Sequence, residues 1–358
     1  MIISVLIILI LILYFFIKKT QEKFINYKQC LSSNKNKSLR DKIKHVLLGD
    51  LHKNNSNWDI FIPCGYTFIE SELDHLTIDH SNQKILGITG CDMFANKLTL
   101  YKIMFNKFGD DYVKYLPRSY ENTFDGLDKL MEDHQEWDKY IVKQNIQAQK
   151  GLYIIHNLFN IYDIFRNDSY VIIQELLKNP FLIDSRKINI RIYLLITCHQ
   201  NKVTGYIYND GFIYYTPENY NHFSKNRDSH ITTGYISRKV YEKNPLTLHD
   251  LYKYMKKKNL NSDILRYNII NLFEKLMSAI YDLTCNKKYF INNTSFQLFG
   301  VDIAPSHDLS VKLIEVNKGP DMSSKDKRDD KLKTNVVKDM LKLVGIIPNH
   351  NNNFIEIW

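Results

Sequence analysis

Two strand-like runs near the C-terminus, Phe296 to Ile303 and Val311 to Val316, constrain this 358-residue chain more than any other feature. In Leu313-Ile314-Glu315-Val316-Asn317 the two-residue period of a strand puts Glu315 and Asn317 on one face, with Ile314 and Val316 toward a core. If the two runs pair as a hairpin about Asp308-Leu309, position 302 falls opposite position 315. Asp302 then completes a cluster of two carboxylates and an amide. Oxygen-only ligation of that kind suits magnesium, which also takes nucleotide phosphates and water. A half-exposed hairpin with polar residues on its wet face explains the spacing equally well.

Three further segments repeat the theme of charge carried on strands. In Lys187-Ile188-Asn189-Ile190-Arg191, cations and an amide alternate with aliphatic residues, as in a phosphate cradle or a solvated surface strand. Tyr140-Ile141-Val142-Lys143 ends on a lysine and leads through a polar loop to Lys150-Gly151. Such a segment can fold over phosphates or form a plain hairpin, and it lacks the P-loop pattern. Val171 to Leu176 is an apolar strand turning polar at Gln174-Glu175-Leu176, like a hinge that reads an adenine edge through its backbone. More β-branched and aromatic runs, Leu152 to His156 and Val203 to Tyr208, surround helical stripes at Ile264 to Tyr281 and Lys331 to Val344. The mixture predicts an α+β architecture.

The first half is quieter. Met1 to Ile17 is uncharged and nearly all aliphatic or aromatic, and Lys18, Lys19, Lys23 and Lys28 follow it. That predicts a retained single-pass transmembrane helix with the rest of the chain facing the cytosol. A polar tether is expected over residues 18–42, a small α/β domain over 43–138 with helices at Lys97 to Phe108 and Asp125 to Glu136, and a tail over 349–358. Five scattered cysteines without C-x-x-C spacing suggest free thiols in a reducing compartment. The net charge of +9 favours an acidic partner. No helix-turn-helix, zinc-finger or RNA-recognition motif points to nucleic acid.

Taken in order, the segments from about Tyr140 to Val344 resemble the tubulin-tyrosine ligase family, a branch of the ATP-grasp enzymes. Tyr140-Ile-Val-Lys143 with Lys150-Gly151-Leu is similar to its W-I-V-K-P and R/K-G-x-G-I segment, and Gln174-Glu175-Leu176 to its adenine hinge. Arg186-Lys187-Ile-Asn189-Ile-Arg191 is similar to R-K-F-D-I-R, and Gly300-Val-Asp302 with Ile314-Glu315-Val-Asn317 to its magnesium motifs.

The resemblance implies an ATP-grasp fold over 139–348, divided into a central part, 139–200, and a C-terminal part, 201–348. It also implies a ligase that phosphorylates a carboxylate with ATP and magnesium so that an amine can attack the acyl phosphate. On that reading Lys143, Lys150 and Gly151 hold phosphates and Gln174, Glu175 and Leu176 meet adenine. Lys187 and Arg191 stabilise the transferring charge, and Asp302, Glu315 and Asn317 hold the metal, with Asn317 also near the nucleotide. The partners implied are an amino acid and a protein acceptor with an acidic segment. Departures lie at Gln144, Asn189, Tyr214 (where the family has Arg) and Gly234 (where it has Asn); they weigh against tubulin as the acceptor. Ligation of a small molecule, and an ATP-binding scaffold that has lost catalysis, are the alternatives.

Overall fold

The computed structural model describes residues 25–29, 37–47, 51–53, 57–65, 69–136, 138–145, 151–155, 161, 169–285, 292–348 and 351–358. The expected membrane span, Met1 to Ile17, and Lys150 lie outside them. Among the described residues no helix is long and apolar enough to cross a membrane.

The N-terminal part runs β1 (Ile25–Gln29), α1 (Lys37–Val46), β2 (Leu51–Lys53), β3 (Ile60–Ile62), α2 (Ile69–Asp74), β4 (Lys84–Leu86), α3 (Cys91–Ala95) and α4 (Lys97–Phe108). β1 pairs in parallel with β2 and β3, and β3 with β4. The expected polar tether is thereby corrected, because β1 and most of α1 fall inside it. Leu39, Ile43 and Leu47 repeat every four residues and are buried, which is the stripe a helix needs in order to dock. The buried Lys42 pairs with Asp330 at 2.7 Å.

A small antiparallel sheet follows: β5 (Ser119–Glu121), α5 (Phe124–Asp133), β6 (Tyr140–Gln144), β7 (Leu152–Ile155) and β8 (Tyr170–Glu175), in the order β5-β8-β6-β7. Alternation along β6 divides its duties. Tyr140 and Val142 join a core with Leu127 and Leu130 of α5, while Ile141 belongs to a second cluster with Ile154 and Leu176 on the other face.

The remaining elements are β9 (Leu182–Ile183), β10 (Arg186–His199), β11 (Lys202–Tyr215), α6 (Val240–Lys243), α7 (Leu248–Lys257), α8 (Ser262–Ile280), β12 (Thr294–Pro305), β13 (Val311–Asn317), α9 (Lys327–Leu343) and β14 (Phe354–Glu356). They join β1–β4 in one large sheet of order β14-β11-β10-β12-β4-β3-β1-β2, with β13 on β12 and β9 on β10. β4 and β12 make that junction in parallel.

β11 runs past its expected end at Tyr208, because Gly211 lets the ladder continue; a Cβ there would lie 2.3 Å from the Arg191 carbonyl oxygen. The expected tail contains β14, whose Phe354 stacks edge-on against Tyr208 with centroids 5.0 Å apart. Cys198 and Cys285 are joined in a disulfide, their Cα atoms 5.9 Å apart. That corrects the expectation of free thiols, since spacing in sequence carries no sign that β10 ends beside the end of α8.

Candidate active site

Between the two sheets lies a cleft. One end is apolar, where Ile141 stands opposite Gln174 in the ladder and clusters with Leu176 and the partly buried Leu152. Charge gathers at the other end, where Lys143 from β6 faces Lys187 and Asn189 from β10, Asp302 from β12 and Glu315 from β13. Among the strand residues the positions follow strand period. Ile141 and Lys143 are two apart on β6, as are Lys187 and Asn189 on β10.

The hairpin register is the expected one, with Asp302 opposite Glu315 and Gly300 opposite Asn317. The ladder then shifts, so that Ile303 pairs with Leu313. Ile314 is the extra residue of this irregularity and lines the cleft, which corrects the expectation that it faces the core. A bulge re-aims a side chain in just this manner.

Burial pushes both Lys187 and Lys143 down to about 8. Lys187 Nζ donates to the His230 carbonyl oxygen at 3.1 Å, and among the described residues neither lysine has a carboxylate within salt-bridge distance. Burial also raises Asp302, to about 6, in spite of Arg191 beside it. For Glu315 burial acts in the same direction, but Lys97, the Asn317 amide, Arg191 and Lys143 outweigh it and hold the carboxyl below its ordinary range. Two buried polar oxygens at the cleft, Gln174 Oε1 and Asn189 Oδ1, have no hydrogen-bond partner. Unpaired buried groups of this kind are rare and costly without a ligand.

The other expected residues sit differently. Arg191 stands across the ladder from Asp302 and grips it through two nitrogens, Nη2 to Oδ2 at 2.8 Å, with its guanidinium 5.4 Å from the Tyr214 ring centroid. Gly300 makes room for it, since a Cβ there would come within 3.1 Å of Arg191 Nη1. Asn317 Nδ2 donates to Glu315 Oε1 at 3.0 Å, so the amide supports the carboxylate. Gly151 has φ +64, and its carbonyl accepts from the Gln144 N–H at 2.8 Å.

At the expected hinge, the N–H groups of Glu175 and Leu176 donate to the Arg118 and Lys139 carbonyls, and the Gln174 side chain lines the cleft. Lys97, at the start of α4 behind the capping Asn96, is a cleft residue that no spacing in the sequence signals. The apolar wall was equally silent, because Ile141, Leu152 and Ile314 look like core.

Two unequal sheets closing on a cleft, with a buried lysine on each sheet and two carboxylates on the larger one, are consistent with an ATP-grasp-like domain. Residues 77–353 match the tubulin-tyrosine ligase family, and the chain belongs to it. It is 25% identical over 323 residues to a tubulin monoglutamylase of Homo sapiens, covering 84% of this chain and 26% of that protein. A tubulin polyglutamylase of Homo sapiens is 24% identical over 315 residues, covering 82% of this chain and 34% of the relative. A probable beta-tubulin polyglutamylase of Tetrahymena thermophila is 26% identical over 312 residues, covering 76% and 25%. The chain spans about a quarter to a third of these relatives' length.

Proposed function

We propose that this protein is an ATP-dependent ligase that joins an amino acid to a carboxylate of a protein acceptor through an acyl phosphate. The observation that carries the reading is that two buried, carboxylate-free ammonium groups, Lys143 from the small sheet and Lys187 from the large one, line one cleft with Asp302 and Glu315. A magnesium-bound triphosphate is the complement of that arrangement, because its oxygens satisfy the lysines and its cation satisfies the carboxylates.

The donor set fits the metal: Glu315, Asp302 and Asn317 would hold it, and magnesium when bound neutralises charge on the phosphates. Lys143 and Lys187 then bind and orient the phosphates as point charges in a water-poor site. Asn189 offers an amide to the same region. Arg191 keeps Asp302 aimed into the cleft. Phosphoryl transfer asks for this positioning and charge stabilisation more than for a protein nucleophile.

Membership of the tubulin-tyrosine ligase family supports the ligase class, and the named activities of the relatives support glutamate as the amino acid and tubulin as an acceptor. The basic net charge suits an acidic acceptor segment. A cytosol-facing position on a membrane belongs to the proposal through Met1 to Ile17 and the lysines after it. The Cys198–Cys285 bond bears against that side, since cytosolic thiols are held reduced.

The test supplies the full chain with magnesium-ATP, tubulin and pooled amino acids and reads ADP. ADP formation that requires both an amino acid and the acceptor is the expected result. ATP binding without amino-acid-dependent ADP would leave a nucleotide-binding scaffold, a reading favoured by the Arg191 grip on Asp302.

A further inference from the structure

The basic helix α9 takes no part in the cleft, since none of its residues lines it. We propose that the outer face of α9 is a docking surface for an anionic membrane. The inference rests on the membrane position proposed above for Met1 to Ile17 and adds which face of the folded domain meets the lipid.

Charge on α9 is sorted by side. Its acids are all engaged: Asp329 with the buried Lys333 at 3.0 Å, Asp330 with Lys42 of α1 at 2.7 Å, and Asp339 with Lys342 at 2.9 Å. Arg328 reaches Asp250 at 2.5 Å. That leaves Lys327, Lys331 and Lys338, all exposed. Among the described residues none of the three has a carboxylate within salt-bridge distance. Spacings of four and seven set them on one helix face, in a row about 16 Å long. Like charges four apart weaken a helix until an anion meets them.

The composition of this face identifies its partner. α9 carries none of the large exposed apolar side chains, so the face can lie on a surface but not insert into it. Lysines act as point charges, without the forked geometry that arginine brings to a single carboxylate. A straight row of them suits a plane of anionic headgroups.

Connectivity keeps the face close to the lipid. Only residues 18–24 lie between the expected span and β1, and fully extended they reach at most about 25 Å. α1 then ties β1 to α9. Lys44 Nζ stands 5.3 Å from the centre of the Tyr27 ring on β1. Toward α9, Lys42 Nζ also donates to Ser324 Oγ at 2.9 Å, and the Met322 N–H donates to Ser38 Oγ at 3.2 Å. Lys18, Lys19 and Lys23 add charge on the same side of the span. An acidic polypeptide shares the charge of such a membrane but lacks this tether.

The experiment reconstitutes the full chain into lipid nanodiscs of phosphatidylcholine alone, or with about one-third phosphatidylserine, and follows the labelling of each lysine by an amine-reactive reagent. In the anionic discs Lys327, Lys331 and Lys338 should label about fivefold more slowly, because the surface potential favours the unreactive protonated amine and the contact covers it. High salt should abolish the difference, since the contact is electrostatic. Lys256, Lys257 and Lys258, at the end of α7, should label alike in both discs.

Equal labelling of the α9 lysines in neutral and anionic discs would overturn the inference, as would equal slowing of Lys256 to Lys258. Stronger protection of the α9 lysines by polyglutamate added to neutral discs than by anionic lipid would also overturn it, in favour of an acidic polypeptide. Failure of the chain to enter either disc is a separate result and would overturn the membrane position itself.

Discussion

The two ends of the cleft are built on opposite principles. At the charged end, Lys143, Lys187, Asp302 and Glu315 are buried ionisable groups held by strand register, and burial pushes the lysines down and Asp302 up. At the apolar end, Ile141, opposite Gln174, clusters with Leu152 and Leu176, and the Gln174 amide nitrogen donates to Ser119. The first is costly to fold and acts once oppositely charged groups arrive. The second is ordinary core left open on one side. Rate should therefore depend on the charged end and choice of base on the apolar end.

The largest effect should come from Glu315→Gln, which keeps the shape and removes the charge proposed to face magnesium. Turnover to ADP should fall by about a thousandfold, the scale on which single charge-stabilising groups act, while circular dichroism should show the fold retained with a somewhat lower melting temperature, because the cations around Glu315 favour its ionised form. A loss under tenfold would break the division between the two ends.

Lys187→Met comes next and sharpens the comparison, because it should move activity and stability in opposite directions. Steady-state kcat/KM for ATP should drop by about a hundredfold. The ligand-free protein should become more stable by about 1–3 kcal/mol, because an ammonium held near 8 instead of its ordinary value of 10.5 is an unfavourable burial. Urea denaturation reads the second half.

The same lysine predicts a pH dependence. In the free protein Lys187 loses its charge as pH rises through about 8, while bound phosphate raises its pKa. ATP affinity should be full below pH 8 and decline above it, and binding should take up protons there. Calorimetry in buffers of different ionisation enthalpy would detect the uptake. At the apolar end, Leu152→Ala should weaken ATP by only a few-fold, the scale of a partly buried side chain, with kcat nearly unchanged.

The same contrast decides how much could be read from the sequence. Glu315 opposite Asp302, and Lys187 beside Asn189, follow from the two-residue strand period and a symmetric hairpin, and the ladder confirms the first pairing. What escaped depends on contacts remote in sequence. The shift that turns Ile314 into the cleft leaves no mark in an alternating run. Lys97 arrives from α4, and its neighbour Glu315 lies more than two hundred positions away. α1 looked like tether because its charged residues outnumber its apolar ones, yet Leu39, Ile43 and Leu47 form the buried stripe and Lys42 finds Asp330. Arg191 was read as a free phosphate ligand, although its nearest anion is the carboxylate across the strand.

The central claim is that Lys143, Lys187, Asp302 and Glu315 together form a site for a magnesium-bound nucleoside triphosphate. Titration of the full chain with ATP in magnesium and again in EDTA, for wild type and Glu315→Gln, tests it most directly. The account predicts that wild type binds at least tenfold more tightly with magnesium and that Glu315→Gln loses most of this difference. Equal affinity of wild type in magnesium and EDTA, or no binding in either, would contradict it.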